Sequence, residues 1–451
     1  MLRRSLRTFA TWAFVERLYL VVLLFALTQG PVYRAWYASG ISTASVPNPA
    51  MPLVHYATFL GVQVPALMLL GRRLERRHFS SWGARLLGAF LGWMTLSTLW
   101  SVLSRQSVIE VISLTVTALC GFYLVVSFDI AARLQAIFFA MQLGVLSSLF
   151  AVARDWNLSV ADGDDHWIGI YLNRNSLAPV AAIGVLAGVV LVPKWRPRDT
   201  TLKAIGRTVI IAFVMLDVFV LWRSESTTSP AALALAAAGV AYWQAMRLIA
   251  GRAGDTNPLV RFSHVVYIVG ITLGMWIVFA VQGRLLSLVG ETTTFNGRLV
   301  HWRFSWNGFL EQPWFGYGWQ AAWRDPEFLK GPGWWVLPNI QRIVADTGSV
   351  SFVVDPNKSW SHSGYFDVLL GGGVVGAAIL VALLVVVVVY QRDAIVQRTN
   401  TVWNMAIVWF VVAAASQESF IIGNHFLWLL LASVLWAPLS AEQQDSGSRT
   451  R

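Results

Sequence analysis

A histidine set between two serines, Ser361-His362-Ser363, is followed by Gly364-Tyr365 and by Gly371, Gly372, Gly373 and Gly376. Imidazole is the side chain whose titration falls nearest neutrality, so His362 is a candidate base for a hydroxyl proton. Upstream, the run Gly297-Arg298-Leu299-Val300-His301-Trp302 supplies a guanidinium, and Arg303 adds a second cation. A guanidinium binds phosphate oxygens through two parallel N–H bonds and steadies negative charge on a leaving group. Eight tryptophans lie from Trp302 to Trp360, Trp319 among them. Indole faces pack on sugar rings while the N–H bonds a hydroxyl. Base, cation and aromatic surface together fit transfer of a glycan from an anionic carrier. Each residue type also has a plain structural role: an arginine reaching lipid headgroups, an interfacial tryptophan belt, glycines that let helices pack closely.

The elements that must position these residues are membrane helices. The 451 residues are 56% hydrophobic and 13% charged, which excludes an ordinary soluble enzyme. Apolar runs fall at 12–28, 53–70, 86–103, 108–128, 134–153, 176–192, 208–222, 230–249, 263–281, 364–390, 401–416 and 425–438. The fold expected is therefore all-α and polytopic, with about 12 transmembrane helices. Residues 1–282 hold the first nine with short loops, 283–363 form one long extracytoplasmic loop, 364–438 hold the last three, and 439–451 are a cytoplasmic tail. Within the long loop, Leu299, Trp302, Trp306 and Phe309 recur at helical spacing. They predict an amphipathic surface helix over 297–310, ended by Gln312-Pro313 and followed by a turn at Gly316-Tyr317-Gly318.

Cationic loops stay in the cytoplasm. Arg72, Arg73, Arg76, Arg77 and Arg85 mark one inner loop, and Lys194, Arg196, Arg198, Lys203 and Arg207 another. With Arg3, Arg4 and Arg7 also inside, both termini are cytoplasmic and the long loop is outside. The net charge of +11 is scattered over short loops, which speaks against nucleic acid as a partner; membrane lipids are the expected surroundings. No GxxxxGK[ST] run is present and the inner loops leave no room for a nucleotide-binding domain, so transport driven by the chain's own ATP hydrolysis is excluded. The single cysteine, Cys120, forms no intrachain disulfide.

Arg34, Arg105, Arg154, Arg174 and Arg223 recur in outward connections, against the usual bias, and suggest an outer basin for anions. The acidic run Asp162-Gly163-Asp164-Asp165-His166 lacks calcium-loop spacing and reads as a solvated turn, so no metal is expected. Asp217 falls within a span, with Glu418 and His425 near an outward helix end. Intramembrane ionisable groups are functional candidates, and they support a rival reading as a proton-coupled secondary transporter.

Several patches resemble the O-antigen ligase-like superfamily, which includes O-antigen ligases, Wzy-type polymerases and bacterial O-oligosaccharyltransferases. They are Leu99-Trp100-Ser101, the stretch from Trp167 through Asn173-Arg174-Asn175, Gly297-Arg298 with Trp302, Pro313 through Gly318, and Ser361-His362-Ser363 with Gly373 and Gly376. The resemblance implies a metal-independent, cofactor-free, inverting transfer on the outer face of a bacterial cytoplasmic membrane. Its donor would be an undecaprenyl-pyrophosphate-linked glycan and its acceptor a lipid, glycan or protein hydroxyl. It places the catalytic histidine at His362 and the loop arginine at Arg298. Asn173 and Asn175 match an asparagine motif that hydrogen-bonds near the donor, or caps a helix. Arg223, Arg303, Arg174, Trp302 and Trp319 complete the substrate-binding set. Two features depart from the family: threonines stand at 227 and 228, where an arginine is usual, with Arg223 about one turn away, and Ser363 stands where asparagine commonly follows the histidine. Other readings are a cell-wall glycan polymerase relying on Asp346 or Asp355, and a non-catalytic membrane scaffold.

Overall fold

The computed structural model describes residues 2–32, 51–75, 79, 81–156, 159–160, 165–171, 173–195, 199–253, 257–263, 265, 269, 298–325, 328, 361–396 and 402–436. Its regular structure is helical throughout, apart from one isolated bridge between Val160 and Trp167. In chain order the helices are α1 (Leu2–Leu27), α2 (Met51–Gly71), α3 (Trp82–Leu96), α4 (Ser104–Ser127), α5 (Ile130–Ala153), α6 (Arg174–Lys194), α7 (Thr200–Arg223), α8 (Thr228–Ala253), the single turn α9 (Pro258–Arg261), α10 (Arg298–Glu311), α11 (Gly364–Val396), α12 (Val402–Ala415) and α13 (Phe426–Trp436). Helix starts follow the side chains that satisfy orphan N–H groups: Ser81, Asp129, Asn173 and Asp199 each accept from the first turn of the helix that follows.

Among the described residues, six helices are long and apolar enough to cross a membrane: α4 to α7, most of α8, and Gly364–Tyr390 of α11. The expected count of about twelve is larger. The expected third span, 86–103, is cut short because α3 stops at Leu96 and passes into a 3-10 turn over Ser97–Leu99. Helices α12 and α13, with 14 and 11 described residues, are apolar but shorter than these six. Nearly all of the expected ninth span, 263–281, and the tail 439–451 lie outside the described residues.

Helices α6, α12 and α13 bury residues all round and form the middle of the bundle. Around them α8 packs on α12, α5 and α7 on α6, α4 on α13, and α11 on α3. The helices alternate in direction. Arg73, which pairs with Glu16 of α1 at 2.6 Å, belongs to the basic end, as do Arg85, Lys194, Lys203 and Arg207 at the adjoining ends of α3, α6 and α7. The starts of α6, α8 and α11 lie at the opposite end, whereas α13 begins beside Leu114 and Thr117, midway along α4.

That opposite end is closed by a backbone brace. Helix α11 breaks at Gly373, whose φ of 63° and ψ of −162° belong to a region open essentially only to glycine. The turn after α10 enters the break: Tyr317 N–H donates to the Leu370 carbonyl at 2.7 Å, and Val374 N–H to the Pro313 carbonyl at 2.8 Å. Gly316 (φ 67°) and Gly318 (φ 93°) turn the chain as their spacing predicts. A Cβ on Gly316 would overlap the Leu370 carbonyl, and one on Gly318 the side chain of Ser101. Trp100 Nε1 donates to the Phe315 carbonyl at 3.1 Å. The stretches 99–101, 313–318 and 370–374, far apart in sequence, thus form one packed knot.

Candidate functional site

Beside the brace, three helices begin around one buried carboxylate. Glu418 lies in the non-helical stretch between α12 and α13 and is 8% exposed. Its Oε1 takes an ion pair from Arg298, the first residue of α10, and a 2.7 Å hydrogen bond from Nδ2 of Asn175 in the first turn of α6. Its Oε2 faces Nδ1 of His362 at 3.4 Å. Its backbone carbonyl accepts from Gly364 N–H, at the start of α11, at 3.2 Å. The other arm of the Arg298 guanidinium reaches Gln417 Oε1 at 3.2 Å and Thr228 Oγ1, on the first residue of α8, at 3.5 Å. Asn175 is held in turn by Ser226, whose hydroxyl donates to Asn175 Oδ1 at 2.9 Å.

Helix N-termini carry partial positive charge, and α6, α8 and α11 start beside the cluster. Together with Arg298 they make a place that favours an anion, at present met by Glu418. Burial strengthens each charge-assisted bond because little water competes for it.

His362 is the open side of the cluster, its side chain 30% exposed. Its φ of 50° puts a non-glycine residue in the left-handed region, and the surrounding bonds hold it there. Ser363 N–H donates to Ser361 Oγ at 3.1 Å, Ser361 Oγ lies against Asp367, and Asp367 N–H donates to the Ser363 carbonyl at 3.0 Å. The carboxylate at Nδ1 favours the tautomer with its proton on that nitrogen, which leaves Nε2 as the acceptor end of the ring. His301, one turn into α10, lies with its ring centroid 5.3 Å from that of His362. Burial, reinforced by the neighbouring His362, pushes His301 down to about 4.

The remaining sequence candidates divide. Asn173 caps α6, its Oδ1 accepting from Ser176 N–H at 3.0 Å. Asn175 and Arg298 join the cluster. Arg223 ends α7, lies over the Trp167 ring at 5.2 Å and donates to the Asp165 carbonyl at 3.2 Å. Arg174 opens α6 half-buried, and Arg303 is exposed on α10. Trp302 is half-buried, 6.4 Å from the Phe366 ring. Trp319 was expected to face a ligand; instead it is fully buried, edge-on to Phe90, with its backbone bonded to Ser97 and Ser107. Its ring has no face open to a sugar. Asp217 is fully buried and accepts from Gln142 at 2.7 Å in the α5–α6–α7 interface. Arg34, Asp162, Asp164, Asp346 and Asp355 lie outside the described residues.

Glu418, Thr228, Ser226, Gln417 and His301 were not assigned to this site from sequence. For Glu418 the usable signal is an acid between two strongly apolar stretches, 402–415 and 426–436, where an unpaired charge is costly. Comparison with known protein families, with curated proteins and with solved structures finds no match to this chain.

Proposed function

We propose that this chain is a membrane glycosyltransferase of the O-antigen ligase-like kind. It moves a glycan from an undecaprenyl-pyrophosphate carrier to a hydroxyl of a lipid, glycan or protein, on the outer face of a bacterial cytoplasmic membrane. The observation that carries this reading is a buried carboxylate, Glu418, that holds Arg298 and Asn175 on one oxygen and faces His362 with the other. An anion site and an oriented imidazole adjoin at the end of the bundle opposite the basic loops, and the positive-inside tendency puts that end outside.

His362 Nε2 takes the proton of the acceptor hydroxyl, and the oxygen attacks the anomeric carbon. The bond from that carbon to the pyrophosphate oxygen breaks as the new glycosidic bond forms. The electron pair leaves on the pyrophosphate, and configuration inverts. Glu418 orients the ring and stabilises the imidazolium. Arg298 and the helix ends meet the charge that develops on the leaving group. The carrier itself supplies the activation, so the scheme needs no cofactor.

The test is turnover of undecaprenyl-pyrophosphate glycan by purified protein in detergent, with wild type, His362→Ala and Arg298→Ala shown to be folded. Loss of donor consumption in both variants is the expected result. Full activity in His362→Ala removes the base. No turnover by wild type with any such donor, together with proton-dependent solute uptake in vesicles, favours the transporter.

A further inference from the structure

In the resting site the guanidinium assigned to the leaving group is already occupied. Glu418 sits on Arg298 and Asn175 through Oε1, while its other oxygen stands 3.4 Å from His362, beyond the usual 2.7–3.2 Å of an N–H···O bond. One carboxylate is therefore shared unequally, tight on the cation and loose on the base.

We propose that Glu418 is a displaceable counter-ion: the donor's pyrophosphate replaces it on Arg298, and the freed carboxylate closes onto His362. This rests on the function proposed above and adds to it a coupling between donor binding and orientation of the base. Pyrophosphate brings more charge than a carboxylate and fits the guanidinium fork bidentately, so the exchange favours the donor. The Asn175 amide that donates to Glu418 can donate to the incoming anion in the same way.

The proposed movement is of the side chain alone. The backbone is fixed by the bond from Gly364 N–H to the Glu418 carbonyl. Further along the same loop, Asn424 N–H donates to Thr117 Oγ1 at 2.9 Å, and Gln63 Nε2 donates to Asn424 Oδ1 at 3.2 Å. His362 lies on the exposed side of the cluster, where the acceptor must arrive. With Glu418 on Arg298 the guanidinium is neutralised, and the same carboxylate stands 3.4 Å from His362 Nδ1. Once loaded, Arg298 carries the donor and His362 has a carboxylate in full contact.

The experiment measures binding of inorganic pyrophosphate to the full-length protein in detergent, and turnover with the polyprenyl-linked donor. Glu418→Gln should bind pyrophosphate about tenfold tighter than wild type, because the competing charge is gone. Its turnover should nonetheless fall by about 10 to 100-fold as His362 loses its carboxylate. Arg298→Ala should abolish the gain when combined with Glu418→Gln. Equal or weaker pyrophosphate binding in folded Glu418→Gln overturns the proposal and makes Glu418 a fixed partner of Arg298. If that variant does not fold, Glu418→Asp decides: its shorter arm competes less well, so pyrophosphate should bind several-fold tighter, and unchanged affinity overturns the exchange. Tighter pyrophosphate binding in a protein that turns over no polyprenyl-linked glycan leaves the counter-ion role standing and removes the glycosyltransferase.

Discussion

Asn175 and Glu418, 243 residues apart in the chain, meet through a 2.7 Å hydrogen bond on the same carboxylate oxygen that pairs with Arg298. This contact ties the start of α6 to the loop between α12 and α13. It gives Asn175 a positioning role, since both ends of its amide are engaged, one by Glu418 and the other by Ser226.

Substituting Asn175→Leu keeps the branched shape and removes both bonds. The expected loss is about 1–3 kcal/mol of stability, because buried oxygens of Glu418 and Ser226 lose a partner. Turnover should fall about 10 to 100-fold with little change in donor KM, as for loss of a group that orients another. Thermal melts in detergent beside steady-state kinetics separate the two effects. A raised KM at unchanged kcat would point instead to direct contact with the donor.

His301 makes the protein sensitive to acid. Burial holds its imidazole at about 4, whereas in the unfolded chain it titrates near 6.5. Between those values the unfolded state binds the extra proton, so stability is intact above about pH 6.5 and is lost as pH falls toward 4. The contribution is on the order of 3 kcal/mol at most. His301→Phe should flatten the fall in melting temperature between pH 7 and pH 4.5. An identical fall in the variant assigns the acid sensitivity to other groups.

The brace can be tested through two glycines of α11. Gly373 combines a positive φ with a backbone neighbour, the Trp314 carbonyl, where a Cβ would stand. Gly373→Ala should therefore cost about 2 kcal/mol or more. At Gly376 the nearest atom to an added Cβ is the flexible end of Met94, at 2.9 Å, so Gly376→Ala should be milder. Similar losses at both positions would mean that close helix packing, not the break, sets the requirement.

Much of this architecture is legible in local sequence. Apolar length marks the helices of the bundle, and the spacing of Leu299, Trp302, Trp306 and Phe309 marks α10. At its C-terminal end α10 stops one residue past the expected Leu310, while the expected start, Gly297, lies outside the described residues. Gly316 and Gly318 mark the turn. What local sequence does not carry is the partner of a charge. Arg298 and Glu418 are separated by 120 residues, and nothing around either indicates that they pair. Apolar length alone does not give the span count for a related reason: it does not distinguish a helix that crosses the membrane from a shorter apolar one, as α12 and α13 are among the described residues. Composition misleads at Trp319, since an indole in a glycine-rich turn suits a sugar platform and a packed core equally well.

The two tryptophans first grouped as sugar contacts should accordingly behave differently. Trp319 is fully enclosed against Phe90, and its backbone closes the α3 and α4 ends through Ser97 and Ser107. Trp319→Ala should cost about 3–5 kcal/mol and lower the melting temperature, with any loss of activity following loss of fold. Trp302 is half-buried beside Phe366, one turn beyond Arg298. Trp302→Ala should leave the fold largely intact and raise donor KM severalfold, if an aromatic face near the anion site guides the glycan. A Trp302→Ala protein with wild-type KM and kcat would confine the aromatic surface of α10 to packing and the membrane interface. Sugar recognition would then have to come from the polar groups around His362.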